Sequence, residues 1–288
     1  MSREIRVLHL EPTDVCQAAC PLCARETDTA FDRNVQNHLT IEQIMQNLSV
    51  MDIQRLQKMF MCGNYGDPAA GKHTLEIYQW FRKINPDITL GMNTNGGVQN
   101  SAWWQELASI MQGSRDYVVF SIDGLDDTNH IYRINVNWKK VIENATSFIA
   151  SGGSAHWDML IYRHNQHQVD TCEQLARDMG FRWFRAKVSR RNLTGNLAMP
   201  DHWPGAHEPQ LPIQCHALAE SSLYIDARGK TYPCCWLGNR TSKIHNINDV
   251  MSTWSSAEPN RICLRACGSV SGTTGFHNQW RRSTELIN

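Results

Sequence analysis

No charge of one sign dominates this sequence: its 288 residues hold 28 lysines and arginines against 28 aspartates and glutamates. That balance excludes a broad basic face, so nucleic acid is not an expected partner and any polyanion must be gripped locally. No apolar run approaches the roughly 20 residues of a membrane span. The N-terminus MSREIRVLHL has no hydrophobic stretch ahead of a small-residue cleavage site, so we expect a cytoplasmic chain with no membrane partner. Internal repeats and low-complexity tracts are missing too. The length suits one large domain, or one domain with a smaller companion.

Cysteine, by contrast, is plentiful, with ten in the chain. In a reducing compartment thiols in this number serve as metal ligands or reactive groups rather than disulfides. Their distribution is uneven. Cys16, Cys20 and Cys23 cluster near the start, while Cys215, Cys234, Cys235, Cys263 and Cys267 crowd the last quarter. Only Cys62 and Cys172 stand apart, and two thiol groups imply two metal centres.

Between residue 4 and about 190, short apolar runs alternate with amphipathic ones. IRVLHL, KMFMC, ITLGMN, YVVFSID, WDMLIY and FRWFRAKV read as strands buried on both faces. Trp138, Val141, Ile142, Ala145, Phe148 and Ile149 share one helical face, as do Val169, Cys172, Ala176 and Met179. Thr40 is placed as an N-cap, and Gly152, Gly153 and Gly180 as helix stops. Six such alternations predict a parallel sheet with crossover helices, short of the eight of a closed barrel. The expected fold is therefore α/β: a partial (β/α)6 parallel barrel over 1–191, with a small C-terminal hairpin and helix extension over 206–288. The Pro-, Gly- and His-rich stretch 192–205 reads as a linker or substrate-facing loop. The extension reads as a hairpin turning at Arg228 and Gly229 and has too little apolar periodicity for a core of its own. A metal centre supplies what packing there does not.

Thiolates suit zinc and iron–sulfur clusters. Zinc sites pair cysteines closely and take a second pair from elsewhere, whereas three thiols here share one loop without a fourth Cys or His. The spacing C-x3-C-x2-C of CQAACPLC, placed after the first strand, resembles that of the radical S-adenosylmethionine superfamily. CGNYGDP at 62–68 resembles the family's Gly-Gly-Glu-Pro element, with Asp67 in place of the glutamate. NTNG at 93–96 is similar to its Thr-Asn-Gly element, FSIDG at 120–124 ends the fourth strand, and HIYR supplies Arg133. Leu22 departs from the aromatic common before the third cysteine.

The resemblance implies a [4Fe-4S] cluster on Cys16, Cys20 and Cys23, with one iron left open for S-adenosylmethionine. It implies a cofactor site of Gly63, Tyr65, Gly66, Asp67, Pro68, Asn93, Thr94, Ser121, Asp123 and Arg133, in which backbone carbonyls of the 62–68 element hold the methionine amine, Ser121 and Asp123 face the nucleoside, and Arg133 pairs with the carboxylate. A zwitterion joined to a ribose needs such carbonyls, a cation and hydroxyl-binding groups along one sheet edge. The implied activity is reductive cleavage of S-adenosylmethionine to a 5′-deoxyadenosyl radical that abstracts hydrogen from substrate.

Cys215, thirteen residues to Gly229, then four to Cys234 resembles the opening of SPASM and twitch extensions of such enzymes. With Cys263 and Cys267 this implies four ligands to a second, auxiliary [4Fe-4S] cluster. Adjacent strand residues face opposite ways, so one of Cys234 and Cys235 ligates, and motif spacing favours Cys234. The rival is a structural zinc site, or more broadly a non-catalytic metal-binding protein.

The substrate classes expected are a small polar molecule or a peptide, in a net oxidation or C–H modification, with flavodoxin or ferredoxin as electron donor. The start of the chain close to its first strand slightly disfavours a peptide held by a leader-binding domain. Arg185, Lys187, Arg190 and Arg191 offer cations to an anionic substrate, although arginines on a strand edge are commonly solvated. Cys62 and Cys172 read as small buried residues.

Overall fold

Each of the six apolar runs forms a strand: β1 Val7–Leu10, β2 Lys58–Met61, β3 Thr89–Thr94, β4 Tyr117–Ser121, β5 Ala155–Ile161 and β6 Trp183–Val188. The computed structural model describes residues 4–189, 197–201, 209–269 and 282–286. Most of the 192–205 stretch, together with Arg190 and Arg191, therefore lies outside the described residues. The strands pair in parallel in sequence order, with Leu8 opposite Met59, Met59 opposite Leu90, and Trp157 opposite Phe184. Right-handed crossover units of this kind put helices on one face and every strand's C-terminal end on one rim.

Local chemistry sets the helices. Thr40 and Ser49 each close a capping box, with Gln43 and Asp52 as their partners. Gly152 and Gly180 end helices Trp138–Ala150 and Val169–Asp178 in left-handed conformations. The outward strand residues Leu8, Leu10, Met59, Met61, Leu90, Met92, Phe120, Trp157 and Phe184 are buried with Ile77, Phe81, Trp104, Phe148 and Cys172 in one continuous core.

The inward strand face is not apolar, unlike the expectation for a doubly buried sheet. His9 stacks on Phe60 at 4.3 Å, Tyr117 on His156 at 5.4 Å, and Arg185 pairs with Asp158 at 2.8 Å. Arg185 is only 4% exposed, which corrects its reading as a solvated strand-edge residue. Its charge is met by a carboxylate on the neighbouring strand.

Five further strands are described: β7 Gln210–Ile213, β8 Ser222–Ile225, β9 Thr231–Tyr232, β10 Gly268–Ser269 and β11 Arg282–Glu285. The C-terminal hairpin β8–β9 turns at Gly229 (φ 78°), where the sequence placed it. It is not a detached extension, because β8 pairs in parallel with β1, Leu223 opposite Leu8. The main sheet thus runs β11-β6-β5-β4-β3-β2-β1-β8-β9 among the described residues. A second, small cluster of Leu237, Val250 and Cys263, flanked by Ile213, Ile247 and Trp254, packs beside it. Among the described residues no helix is long and apolar enough to cross a membrane.

Candidate active site

Parallel strands deliver their last inward residues to one place. Cys62, Asn93, Ser121, Leu160, Lys187 and Ser189 line a cavity of about 300 Å³ at the C-terminal rim. Cys16, Cys20 and Cys23 enter it from the loop after β1. A ligand site at the carboxyl ends of parallel strands is where this class of sheet places one.

The GNYGDP turn is fixed from three sides. A Cβ on Gly66 would sit 1.9 Å from the Thr13 carbonyl oxygen, and one on Gly63 would sit 2.1 Å from that of Gly66. Only glycine lets the two backbones approach so closely. Buried Glu11 anchors the turn: the N–H groups of Tyr65 and Gly66 donate to its Oε1 at 2.6 and 3.3 Å, and the Tyr224 hydroxyl of β8 donates to Oε2 at 2.8 Å. Burial pushes the Glu11 carboxyl up to about 7, against those hydrogen bonds.

Asp67 ties this turn to the next. Its carboxylate accepts from the Thr94 hydroxyl and the Asn95 N–H, both at 2.7 Å, and from the Ala69 N–H at 2.9 Å. Asn95 in turn reaches the Cys16 sulfur at 3.5 Å and accepts from Gln17 at 2.6 Å. The side chain of Asp67 is therefore a staple between loops. Burial, then the neighbouring Asp67, pushes the Cys16 thiol up to about 12. Cys20 is also raised by burial, opposed by Arg133.

The cavity gathers Gly63, Tyr65, Gly66, Asp67, Asn93, Thr94, Ser121 and Arg133 with the three thiols. Two residues grouped with them by sequence lie behind its wall. Asp123, fully buried, receives hydrogen bonds from Arg133 Nε at 2.7 Å and the Leu160 N–H at 2.6 Å, so it positions the arginine instead of facing the cavity. The chain turns under after β4, where the Asp123 N–H donates to Asn129 Oδ1 at 2.8 Å. Pro68 opens a buried 3₁₀ turn and gives its carbonyl to Thr74 at 2.6 Å. Tyr65 borders the cavity, but its ring also stacks on Phe31 at 4.9 Å, and the Arg240 guanidinium lies over both rings, 4.6 Å from Tyr65 and 5.0 Å from Phe31.

Sequence reading missed the contacts that span the chain. Asn64 donates to the carbonyls of Cys235 (2.8 Å) and Gly238 (3.1 Å), and Arg240 pairs with buried Asp14 at 2.6 Å. Together they clamp the segment after β9 onto the GNYGDP turn. Asn95, Leu160, Ser189 and Trp236 border the cavity as well. The inward alternation of β5 and β6 was the one signal able to mark Leu160 and Ser189.

Cys215, Cys234, Cys263 and Cys267 line a second, small apolar pocket, walled by Ile213, Trp236, Leu237, Ile247, Trp254 and Ile262. Cys263 and Cys267 stand four apart on helix Arg261–Cys267, hence on one face. Pairing of β10 with β7, extended by the Gln214 N–H to the Cys267 carbonyl at 2.8 Å, brings Cys215 alongside. Cys235 does not line this pocket; Cys62 and Glu11 are among the groups that raise its thiol, after burial and Cys234.

Both donor sets are all thiol. Among the described residues no three His, Cys, Asp or Glu side chains converge on a point as ligands of a single ion. Three thiols at one cavity and four lining an apolar pocket are donor sets of the soft kind that suits iron–sulfur clusters.

Three comparisons bear on this arrangement. Curated proteins yield no match. Among solved structures, Streptococcus suis SuiB bound to S-adenosylmethionine superposes with a TM-score of 0.63 at 14% identity, covering 84% of this chain and 63% of SuiB. SuiB bound to precursor peptide SuiA gives 0.59 at 13% identity, covering 87% and 65%. The structure of anSMEcpe with bound AdoMet and Cp18Cys peptide gives 0.51 at 14%, covering 67% and 54%. The chain thus spans less than two thirds of the length of these proteins, and the likeness is one of fold. The sequence itself matches the Radical SAM superfamily over residues 10–175. With more than half its length in that match, and its motif loops on one rim, the chain belongs to the radical SAM superfamily.

Proposed function

We propose that this protein cleaves S-adenosylmethionine reductively and uses the resulting radical to abstract hydrogen from a substrate bound in the same cavity. The observation that carries the reading is the convergence of Cys16, Cys20, Cys23, the 63–67 turn, Asn93, Ser121 and Arg133 on one cavity. A [4Fe-4S] cluster on the three thiols, bound with one iron open, supplies the electron that splits the sulfonium into methionine and a 5′-deoxyadenosyl radical.

The chain's own residues bind and orient. Arg133, its Nε fixed by Asp123 at 2.7 Å, presents its remaining N–H groups to the methionine carboxylate. Carbonyls of the 63–66 turn face the amine, and Asn93 and Ser121 the ribose hydroxyls. Leu160, Lys187, Ser189 and Trp236, which also line the cavity, are left for substrate.

Cys215, Cys234, Cys263 and Cys267 hold an auxiliary [4Fe-4S] cluster in this reading, supported by their shared pocket. Four protein ligands leave no open iron, which favours an electron-accepting role and a net oxidation. The substrate is a small polar molecule or a peptide; SuiB was solved with its precursor peptide, which keeps the peptide class in view. A flavodoxin or ferredoxin delivers the electron.

The test is anaerobic reconstitution with iron and sulfide, followed by dithionite and S-adenosylmethionine. We expect 5′-deoxyadenosine and its loss in a Cys16→Ala, Cys20→Ala, Cys23→Ala protein. Zinc in the purified protein, no iron–sulfur absorbance and no 5′-deoxyadenosine would instead make it a structural metal protein.

A further inference from the structure

Trp236 is the one residue that borders both the rim cavity and the four-thiol pocket among the residues lining each. It follows Cys234 by two positions in a turn closed by the Leu237 and Gly238 N–H groups on the Cys234 carbonyl, at 3.2 and 3.1 Å. That turn is pinned to the cavity loop by Asn64, which donates to the Cys235 and Gly238 carbonyls on either side of Trp236. The backbone on either side of Trp236 is therefore fixed to the cavity loop. The residue is 43% exposed.

We propose that Trp236 is the partition between the substrate cavity and the auxiliary thiol pocket, sealing the second from the solvent that enters the first. The inference rests on the proposed auxiliary cluster. An aromatic ring suits the task because it is rigid, wide and apolar on both faces. Trp236 borders both the cavity that holds the cysteine trio and the pocket of Cys215, Cys234, Cys263 and Cys267. In the net oxidation proposed above, a cluster held by these four thiols would accept the electron that the substrate radical gives up as its proton leaves to solvent, and Trp236 would stand between the two sites.

The test uses the full chain with Cys16, Cys20 and Cys23 changed to Ala, so that only the auxiliary thiols hold a cluster, reconstituted anaerobically. The probe is a hydrophilic iron chelator, and the readout is loss of the iron–sulfur absorbance. Adding Trp236→Ala is expected to speed the loss about tenfold, the rate effect of 1.36 kcal/mol, while Trp236→Phe, which keeps a ring, stays near the parent rate. A second readout is tryptophan emission: the part removed by Trp236→Phe is quenched when the cluster is installed. Should Trp236→Ala fail to fold, this emission difference carries the test by itself. Equal rates in parent and Trp236→Ala, or unquenched Trp236 emission in a coloured protein, overturn the partition alone. A parent protein that takes up no cluster overturns the auxiliary cluster and the partition with it.

Discussion

Arg133 reaches the cavity from a carboxylate that does not: its Nε lies 2.7 Å from Oδ2 of Asp123, a side chain with no solvent exposure. The pair fixes the direction of a cation whose other face is 4.0 Å from the Cys20 sulfur. Removing one partner of such a buried pair leaves an uncompensated charge and costs about 3–5 kcal/mol. Asp123→Asn keeps the shape and one acceptor oxygen, but loses the charge and one of the two hydrogen bonds from Arg133 Nε and the Leu160 N–H. We expect it to remain folded and to bind S-adenosylmethionine about tenfold more weakly, a loss of about 1.4 kcal/mol, measured by equilibrium dialysis. Unchanged affinity would show that Arg133 needs no such support.

Glu11 gives the fold a pH dependence of defined sign. Its carboxyl rises from 4.5 to about 7 because it is buried, so the folded state holds its proton more tightly than the unfolded chain. The corresponding stability is complete below pH 4.5 and is lost as pH rises through 7. At most about 3 kcal/mol is involved. Glu11→Gln retains an acceptor for the Tyr65 and Gly66 N–H groups without a titrating proton. Between pH 5 and 8 the variant is expected to lose less stability in urea titrations than the wild type; parallel losses would refute the assignment.

Arg240 acts at a distance from the cavity. Its guanidinium, 2.6 Å from Asp14 and stacked on Phe31 and Tyr65, locks the C-terminal turn over the loop that carries Tyr65. Arg240→Ala leaves Asp14 buried and unpaired, and we expect a destabilisation of about 3 kcal/mol. The same variant is expected to weaken S-adenosylmethionine binding, although Arg240 does not border the cavity. Loss of stability with intact affinity would restrict Arg240 to a structural role.

Cys234 and Cys235 are neighbours in sequence with different surroundings. Cys234 lines the four-thiol pocket, and Cys235 does not. After reconstitution, Cys234→Ala is expected to lose about half of the bound iron, as one cluster of two, while Cys235→Ala retains it. Iron and sulfide analysis decides, and the opposite ranking would exchange the two residues.

The six parallel strands were legible because each is a short run rich in apolar and β-branched residues between longer amphipathic stretches. The place of β8 was not, since nothing local in SLYI states that Leu223 will lie opposite Leu8. Motif spacing grouped the thiols and the rim loops that the structure brings together, because each loop hangs from a strand end. Asp123 was misplaced because the chain leaves strand geometry after Ser121, so alternation no longer tells which way a side chain points. The anchoring role of Glu11 was not legible, because its partners Tyr65 and Tyr224 come from elements far along the chain. Asn64 and Arg240 carried no local signal at all: their contacts join residues more than 170 apart.

The central claim is that the amino-terminal thiols hold a cluster with an iron open to S-adenosylmethionine. Its most direct measurement is electron paramagnetic resonance of the dithionite-reduced protein with Cys215, Cys234, Cys263 and Cys267 changed to Ala, so that one cluster alone reports. We expect a reduced-cluster signal whose g values shift when S-adenosylmethionine is added, and a smaller shift when Arg133 is replaced. A protein with no signal, or with a signal indifferent to the added sulfonium, would contradict the account.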